Sequence, residues 1–360
     1  MLTFCIFIVI LYLLAVFAVI LPYWYEVGNN PSEDIPSGSW SVRPVIKLWL
    51  EAARAFLCLG AAFALDPILR RMCAKKYRDD GEDLPPVLLV HGLYHNPSGW
   101  MYLRGRLYKA GFRKIHTMAY SSWKTDIAAL TAKLETEICG LESRYPEKKP
   151  LLVGHSLGGL LIRNWLASTE NQARILGAVT LGAPHRGSKM AAVAFGKLGR
   201  SLLPANPFFA DLARRENAAS IPCISLVAEA DTMVLPQHNL VPMTKGWEMR
   251  LTPYTTHAGL MTRGAVCRMV AWELHRIISM AGRTPETTPA PETAARETAP
   301  APEKAAPEAA TGPVTENAVP EPIQAEKPAP GKTRTQNASK PAAKSGNKKP
   351  PAARKNAGKK

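Results

Sequence analysis

An α/β fold with a mostly parallel sheet and helices on both faces is predicted by two observations. Short apolar runs of strand length alternate with longer segments of helical period between about residues 85 and 282. In addition, the run at 151–153 passes through a glycine-rich turn directly into a helix-patterned segment, the strand–turn–helix unit that parallel sheets repeat. The strand-like runs are 87–90, 115–119, 151–153, 176–181, 221–228 and 247–251. Between them, 126–143 carries Ile127, Leu130, Leu134, Ile138 and Leu141 on one helical face, and further helices are expected near Trp100, over 160–167 and after His257.

The turn at 154–158 reads Gly-His-Ser-Leu-Gly and centres on Ser156. Between a buried strand and a helix, Gly-x-Ser-x-Gly forms a nucleophile elbow. The strained turn lifts the serine hydroxyl clear of the sheet and aims a helix N-terminus at it. A serine hydroxyl is a poor nucleophile, so this reading requires a base, an orienting acid and an oxyanion hole. In hydrolases built this way the order along the chain is serine, acid, histidine, each after its own strand. The run 221–228 ends in Glu229-Ala230-Asp231, and Asp231 at the tip is the expected acid, with Glu229 as its rival. After the run 247–251, His257 lies on a loop leading into the last helix and is the expected base. The oxyanion hole is expected from the backbone amides of Leu157, after the serine, and of Leu93, in the His91-Gly92-Leu93 loop after the first strand. His91 and His155 read as scaffold around this site and His95 as a residue able to line its pocket. His116, His185, His238 and His275 read as structural or surface residues.

From about 85 to 280 the chain resembles an α/β-hydrolase of the lipase/esterase type. The likeness rests on the elbow, on the His91-Gly92-Leu93 loop, and on Leu181-Gly182-Ala183-Pro184-His185-Arg186-Gly187 after the next strand, a pattern shared with bacterial triacylglycerol lipases. The resemblance implies an α/β-hydrolase fold, carboxylic ester hydrolysis and no cofactor or metal. It also suggests that 188–220, which the core fold does not require, forms a cap over the pocket; ordinary packing on the sheet is the alternative.

The flanks are of other kinds. Residues 2–21 are almost wholly apolar and uncharged, long enough to cross a bilayer, and Tyr23-Trp24-Tyr25 supplies an interfacial belt. A basic start and a small-residue cleavage site are missing, so 1–25 reads as an uncleaved transmembrane anchor. Residues 26–84 read as an acidic, turn-rich linker (26–41) followed by an amphipathic or second membrane helix over about 44–69. In that helix Lys47, Glu51 and Arg54 share one stripe, which suggests a helix in the interface or packed on the hydrolase near its entrance. A basic cluster follows at Arg70, Arg71, Lys75, Lys76 and Arg78. One span leaves the enzyme on either side of the membrane, whereas two spans place it in the cytoplasm; the expected location is a bacterial inner membrane.

Residues 283–360 are rich in Pro, Ala and Lys and are expected to be disordered. From Lys327 onward there are eleven basic residues and no acidic one, so that end carries +11 of the formal +16. It could contact anionic lipid or another polyanion, or serve only to solubilise, and there is no structured nucleic-acid-binding module. The six cysteines have neither metal spacing nor a disulfide-framework pattern, and no phosphate loop or dinucleotide fingerprint occurs. The expected protein is therefore a membrane-anchored serine hydrolase acting on carboxylic esters, with the bilayer and a lipid acyl ester as partners. A thioesterase or acyltransferase using the same triad, or a non-catalytic membrane scaffold, are the alternatives.

Overall fold

The computed structural model describes residues 2–35, 42–76 and 84–282. The expected tail over 283–360 and its contacts lie outside the described residues, as does Arg78 of the basic cluster.

The centre is a six-stranded parallel sheet of β1 (Val87–Val90), β2 (Ile115–Met118), β3 (Leu151–His155), β4 (Gly177–Leu181), β5 (Cys223–Val227) and β6 (Trp247–Leu251), in the spatial order β2-β1-β3-β4-β5-β6. Strands β1 and β3 lie side by side, with Val87 opposite Leu151, while β2 lies on the other side of β1. The winding therefore reverses between β1 and β3. Loops leaving adjacent strands at such a point diverge to opposite faces and open a crevice at the carboxyl ends, where sites form.

Eleven helices are described: α1 (Leu2–Asn29), α2 (Val42–Ala64), α3 (Asp66–Lys76), α4 (Met101–Lys109), α5 (Ile127–Arg144), α6 (Leu157–Trp165), α7 (Thr169–Gln172), α8 (Gly196–Arg200), α9 (Pro207–Arg215), α10 (Gly259–Thr262) and α11 (Gly264–Ala281). Alternation along β1 sends Val87 and Leu89 into a core shared with α2, α4 and α11, and Leu88 and Val90 into one shared with α5 and α6. Both faces are covered, which is why the inner strand β1 reads as an unbroken apolar run, whereas the edge strands β2 and β6 carry polar residues. Helix α5 buries the five apolar residues named from its pattern. It is capped by Asp126, whose carboxylate accepts the Ala129 N–H at 2.8 Å.

The N-terminal helices differ in two ways from the sequence expectation. Helix α1 continues through residues 26–29, past the expected end of the anchor and into the expected linker. Tertiary contacts hold those turns: Tyr23 and Val27 are buried, and Glu26 pairs with Lys189 at 2.9 Å. The helix expected over 44–69 is two, α2 and α3, bent by 82°. Pro67 has no N–H for the Phe63 carbonyl, and a proline disfavours helical geometry in the residue before it. The Phe63 carbonyl accepts instead from Asn96 Nδ2, and the Ala62 carbonyl from Ser98 Oγ at 2.7 Å. The break thus docks on the segment that follows the His91-Gly92 loop.

Candidate active site

Ser156 follows β3 directly and has φ 52° and ψ −122°, a conformation that favours glycine and is rare for any other residue. Its N–H donates to the Leu181 carbonyl at 2.8 Å, so the strained residue is pinned to the neighbouring strand. The glycines around it are required by contact. A Cβ on Gly158 would overlap the Val90 carbonyl oxygen, and one on Gly154 would stand 2.6 Å from the backbone of Gly158. Strand β3, helix α6 and the end of β1 approach this closely only without side chains at these positions.

Asp231 and His257 come from the ends of β5 and β6. Asp231 is fully buried, and its Oδ1 accepts the N–H groups of Met233 at 2.9 Å and Val234 at 2.8 Å. Its Oδ2 lies 2.7 Å from His257 Nδ1. That bond fixes the imidazole so that Nε2 is the nitrogen left for other chemistry. The carboxylate of Glu229 takes no part in it; the Glu229 carbonyl accepts from Gln237 Nε2 at 2.7 Å. Ser156 and His257 line the same cavity, of about 540 Å³, and no hydrogen bond joins them among the described residues.

Leu93 lines that cavity too, and Leu157 is the first residue of α6, so its N–H has no acceptor within the helix. Gly92 lets the Leu93 loop approach the elbow, since a Cβ there would lie 3.0 Å from His155 Nδ1 and 3.1 Å from Ser156 Cβ. The next residue, Tyr94, adopts φ 55° and donates its N–H to Ser122 Oγ at 2.9 Å.

The other histidines divide as their positions suggested. His91 is fully buried and stacks on Tyr120 with ring centroids 4.0 Å apart, and burial pushes its pKa down to about 4. His155 is held well below the usual histidine range, first by burial and then by the neighbouring His257. Neutral at ordinary pH, it donates its Nε2–H to the His257 carbonyl at 3.2 Å and so helps position the loop that carries His257. His95 lines the cavity. His185 is buried against Ser225 Oγ at 3.1 Å, on the sheet rather than in the cavity.

Residues of the 188–220 insertion divide between the cavity and the core. Met190, Val193, Phe195 and Leu202 line the cavity, whereas Leu212 of α9 is buried in the core beneath α6. Phe56, Leu59, Gly60 and Phe63 of α2, the helix whose polar stripe suggested packing in the interface or on the hydrolase near its entrance, also line the cavity; the sequence did not reveal which of its residues face it. Those residues follow a helical stripe, but a stripe does not say what it faces. Glu51 on the same helix accepts a hydrogen bond from Thr255, two residues before His257, at 2.9 Å, and pairs with Arg54 and Arg263. Its place beside Lys47 and Arg54 was the signal; the partner was not visible.

Over 95 residues the chain is 33% identical to triacylglycerol lipase 2 of Saccharomyces cerevisiae, a match covering 26% of this chain and only 29% of the yeast protein's length. Among solved structures, the mature Bacillus licheniformis lipase BlEst2 is similar at 16% identity with a TM-score of 0.46, covering 54% of this chain and 96% of that one. A monoacylglycerol lipase of Paleococcus ferrophilus is similar at 18% identity with a TM-score of 0.43, again covering 54% and 96%. A model of the alpha/beta hydrolase family matches residues 87–318, more than half of the sequence, and the chain belongs to that family.

Proposed function

We propose that this protein hydrolyses carboxylic esters, with Ser156 as nucleophile, His257 as general base and acid, and Asp231 as the residue that orients the imidazole. The observation that carries the reading is the 2.7 Å contact of Asp231 with His257 on the wall of the cavity that also exposes the strained Ser156. His257 Nε2 takes the proton of Ser156 as Oγ bonds to the ester carbonyl carbon, and Asp231 stabilises the resulting imidazolium. The oxyanion accepts hydrogen bonds from the Leu93 and Leu157 amides, at the N-terminal end of α6. Collapse breaks the ester C–O bond, and the alcohol leaves with the proton returned by His257. Water deprotonated by the same nitrogen then attacks the acyl-enzyme, releasing the carboxylic acid and free Ser156.

The cavity lining favours an acyl chain, because it is apolar on both the α2 wall and the insertion wall. Helix α1, 28 residues long with large exposed apolar side chains from Phe4 to Leu14, supports a membrane anchor and hence a lipid ester as substrate. Ser156→Ala should abolish fluorophosphonate labelling and lower hydrolysis of nitrophenyl butyrate by roughly a thousandfold or more. Activity retained in that variant overturns the mechanism.

A further inference from the structure

Helix α2 wears its amphipathic pattern in the reverse of the usual sense for a surface helix. Its polar residues meet the catalytic domain. Besides the bonds of Glu51 to Thr255 and Arg263, Arg54 Nη2 lies 3.3 Å from Thr262 Oγ1, and Lys47 Nζ stands 4.0 Å from the centre of the Tyr254 ring. The line that points away is apolar: Ile46, Leu50 and Leu57 are each more than half exposed, and Ala61 and Ala64 continue the stripe. A third face lines the cavity that holds Ser156.

This helix cannot cross a bilayer as it lies, because Leu48 and Ala52 pack against α1 and Ala55 and Leu59 belong to the core under the sheet. Its outer apolar stripe is exposed, flanked by Lys47 and by Arg54, whose side chain is 43% exposed. The length of α1 sets how near the lipid comes. From Tyr12, whose hydroxyl donates to the Ala53 carbonyl, α1 leans on α2 and the catalytic loops. Residues 3–11 stand clear and give about 14 Å of helix, less than half of the roughly 30 Å of a hydrocarbon core. A bilayer around α1 must therefore take in the turns that pack on α2, and so reach the outer stripe of α2. Beyond the bend, exposed Arg71 suits an anionic headgroup, and beside it Arg70 is paired with Asp66 at 2.7 Å. The rim of the cavity continues this surface, with Phe63, Val193 and Phe195 at 51%, 71% and 70% exposure.

We propose that α2 lies in the plane of the membrane surface as a partition. Its outer stripe rests in the acyl region of the leaflet, its inner stripe walls the acyl cavity, and lipid substrate passes sideways from the leaflet through the rim of Phe63, Val193 and Phe195. The inference rests on reading the cavity as an esterase site, and two measurements on the full chain separate the two ideas. In detergent, Leu50→Glu/Leu57→Glu should hydrolyse nitrophenyl butyrate within twofold of the parent. On a long-chain diacylglycerol in phosphatidylcholine/phosphatidylglycerol vesicles, the same variant should be at least tenfold slower. A parallel loss on both substrates, or no loss on vesicles, overturns the proposal. Independently of activity, a nitrobenzoxadiazole dye on Leu57→Cys, in a chain whose other cysteines are replaced, should be quenched more by shallow than by deep nitroxide lipids. Stronger deep quenching would make α2 a span, and absence of quenching would place it in water or against protein; either result overturns the in-plane helix. If the parent proves inactive on both esters, the esterase reading fails while the quenching still decides the position of α2.

Discussion

The elbow at 154–159 and the middle of α2 bound the same cavity, yet they are held by opposite means. The elbow is set by backbone: glycines against carbonyls, an amide on the neighbouring strand, and a serine that tolerates φ 52° because everything around it is rigid. Helix α2 is set by side chains, with Glu51 clasping the histidine loop and small or aliphatic residues filling the space below. Backbone contacts admit no substitution and here join adjacent strands, as Ser156 with Leu181 and Gly158 with Val90. Side-chain contacts bend to substitution but join parts of the chain about 200 residues apart, such as Glu51 and Thr255, separated by 204 positions. Chemistry sits on the first kind of support and substrate access on the second.

Three substitutions would break or sharpen that contrast. Asp231→Asn should have the largest effect, lowering kcat by about 10⁴ with the fold intact, since an amide cannot hold the imidazole in the tautomer that leaves Nε2 free to act as base. Circular dichroism paired with ester kinetics would test it, and a variant with near-normal kcat would remove Asp231 from its role. Gly158→Ala comes next. A methyl group against the Val90 and His91 carbonyls must push β1 and α6 apart, destabilising the domain by roughly 3 kcal/mol. Urea unfolding with an unchanged midpoint would show the close approach to be unimportant. Glu51→Gln is the mildest. It keeps an acceptor for Thr255 but loses the charge facing Arg54 and Arg263, both of them partly exposed, at about 1–2 kcal/mol. Its signature is a KM for long-chain esters raised more than kcat is lowered, whereas a purely structural role would lower the melting temperature alone.

The strands of the sheet were legible within a residue or two: the inner ones because a parallel sheet covered on both faces leaves continuous apolar runs, as at 87–90 and 151–153, and the edge strand 247–251 because Trp247, Met249 and Leu251 alternate with Glu248 and Arg250. Ser156 was legible because the turn that presents it needs glycines at fixed offsets. Asp231 and His257 came from chain order and strand ends. Chain order does not distinguish Asp231 from Glu229, and it is the geometry at His257 that places the Asp231 carboxylate on the ring. The end of α1 was misplaced because Glu26 looks like linker until Lys189, 163 residues later, is seen beside it. The two-helix form of 44–69 could have been suspected from Pro67, yet the apolar pattern runs on past it.

By itself the sequence determined the α/β alternation, the elbow with its serine, and the apolar helix ahead of the domain, since each depends on periodicities or spacings within about twenty residues. Only the tertiary structure decided which carboxylate meets His257, which wall of the cavity α2 supplies, and which of its faces looks outward. Those are relations between segments from 26 positions apart, as Asp231 and His257, to 204, as Glu51 and Thr255. A polar stripe on a helix looks the same in the sequence whether it faces water or, as Glu51 does, a threonine beside the catalytic loop.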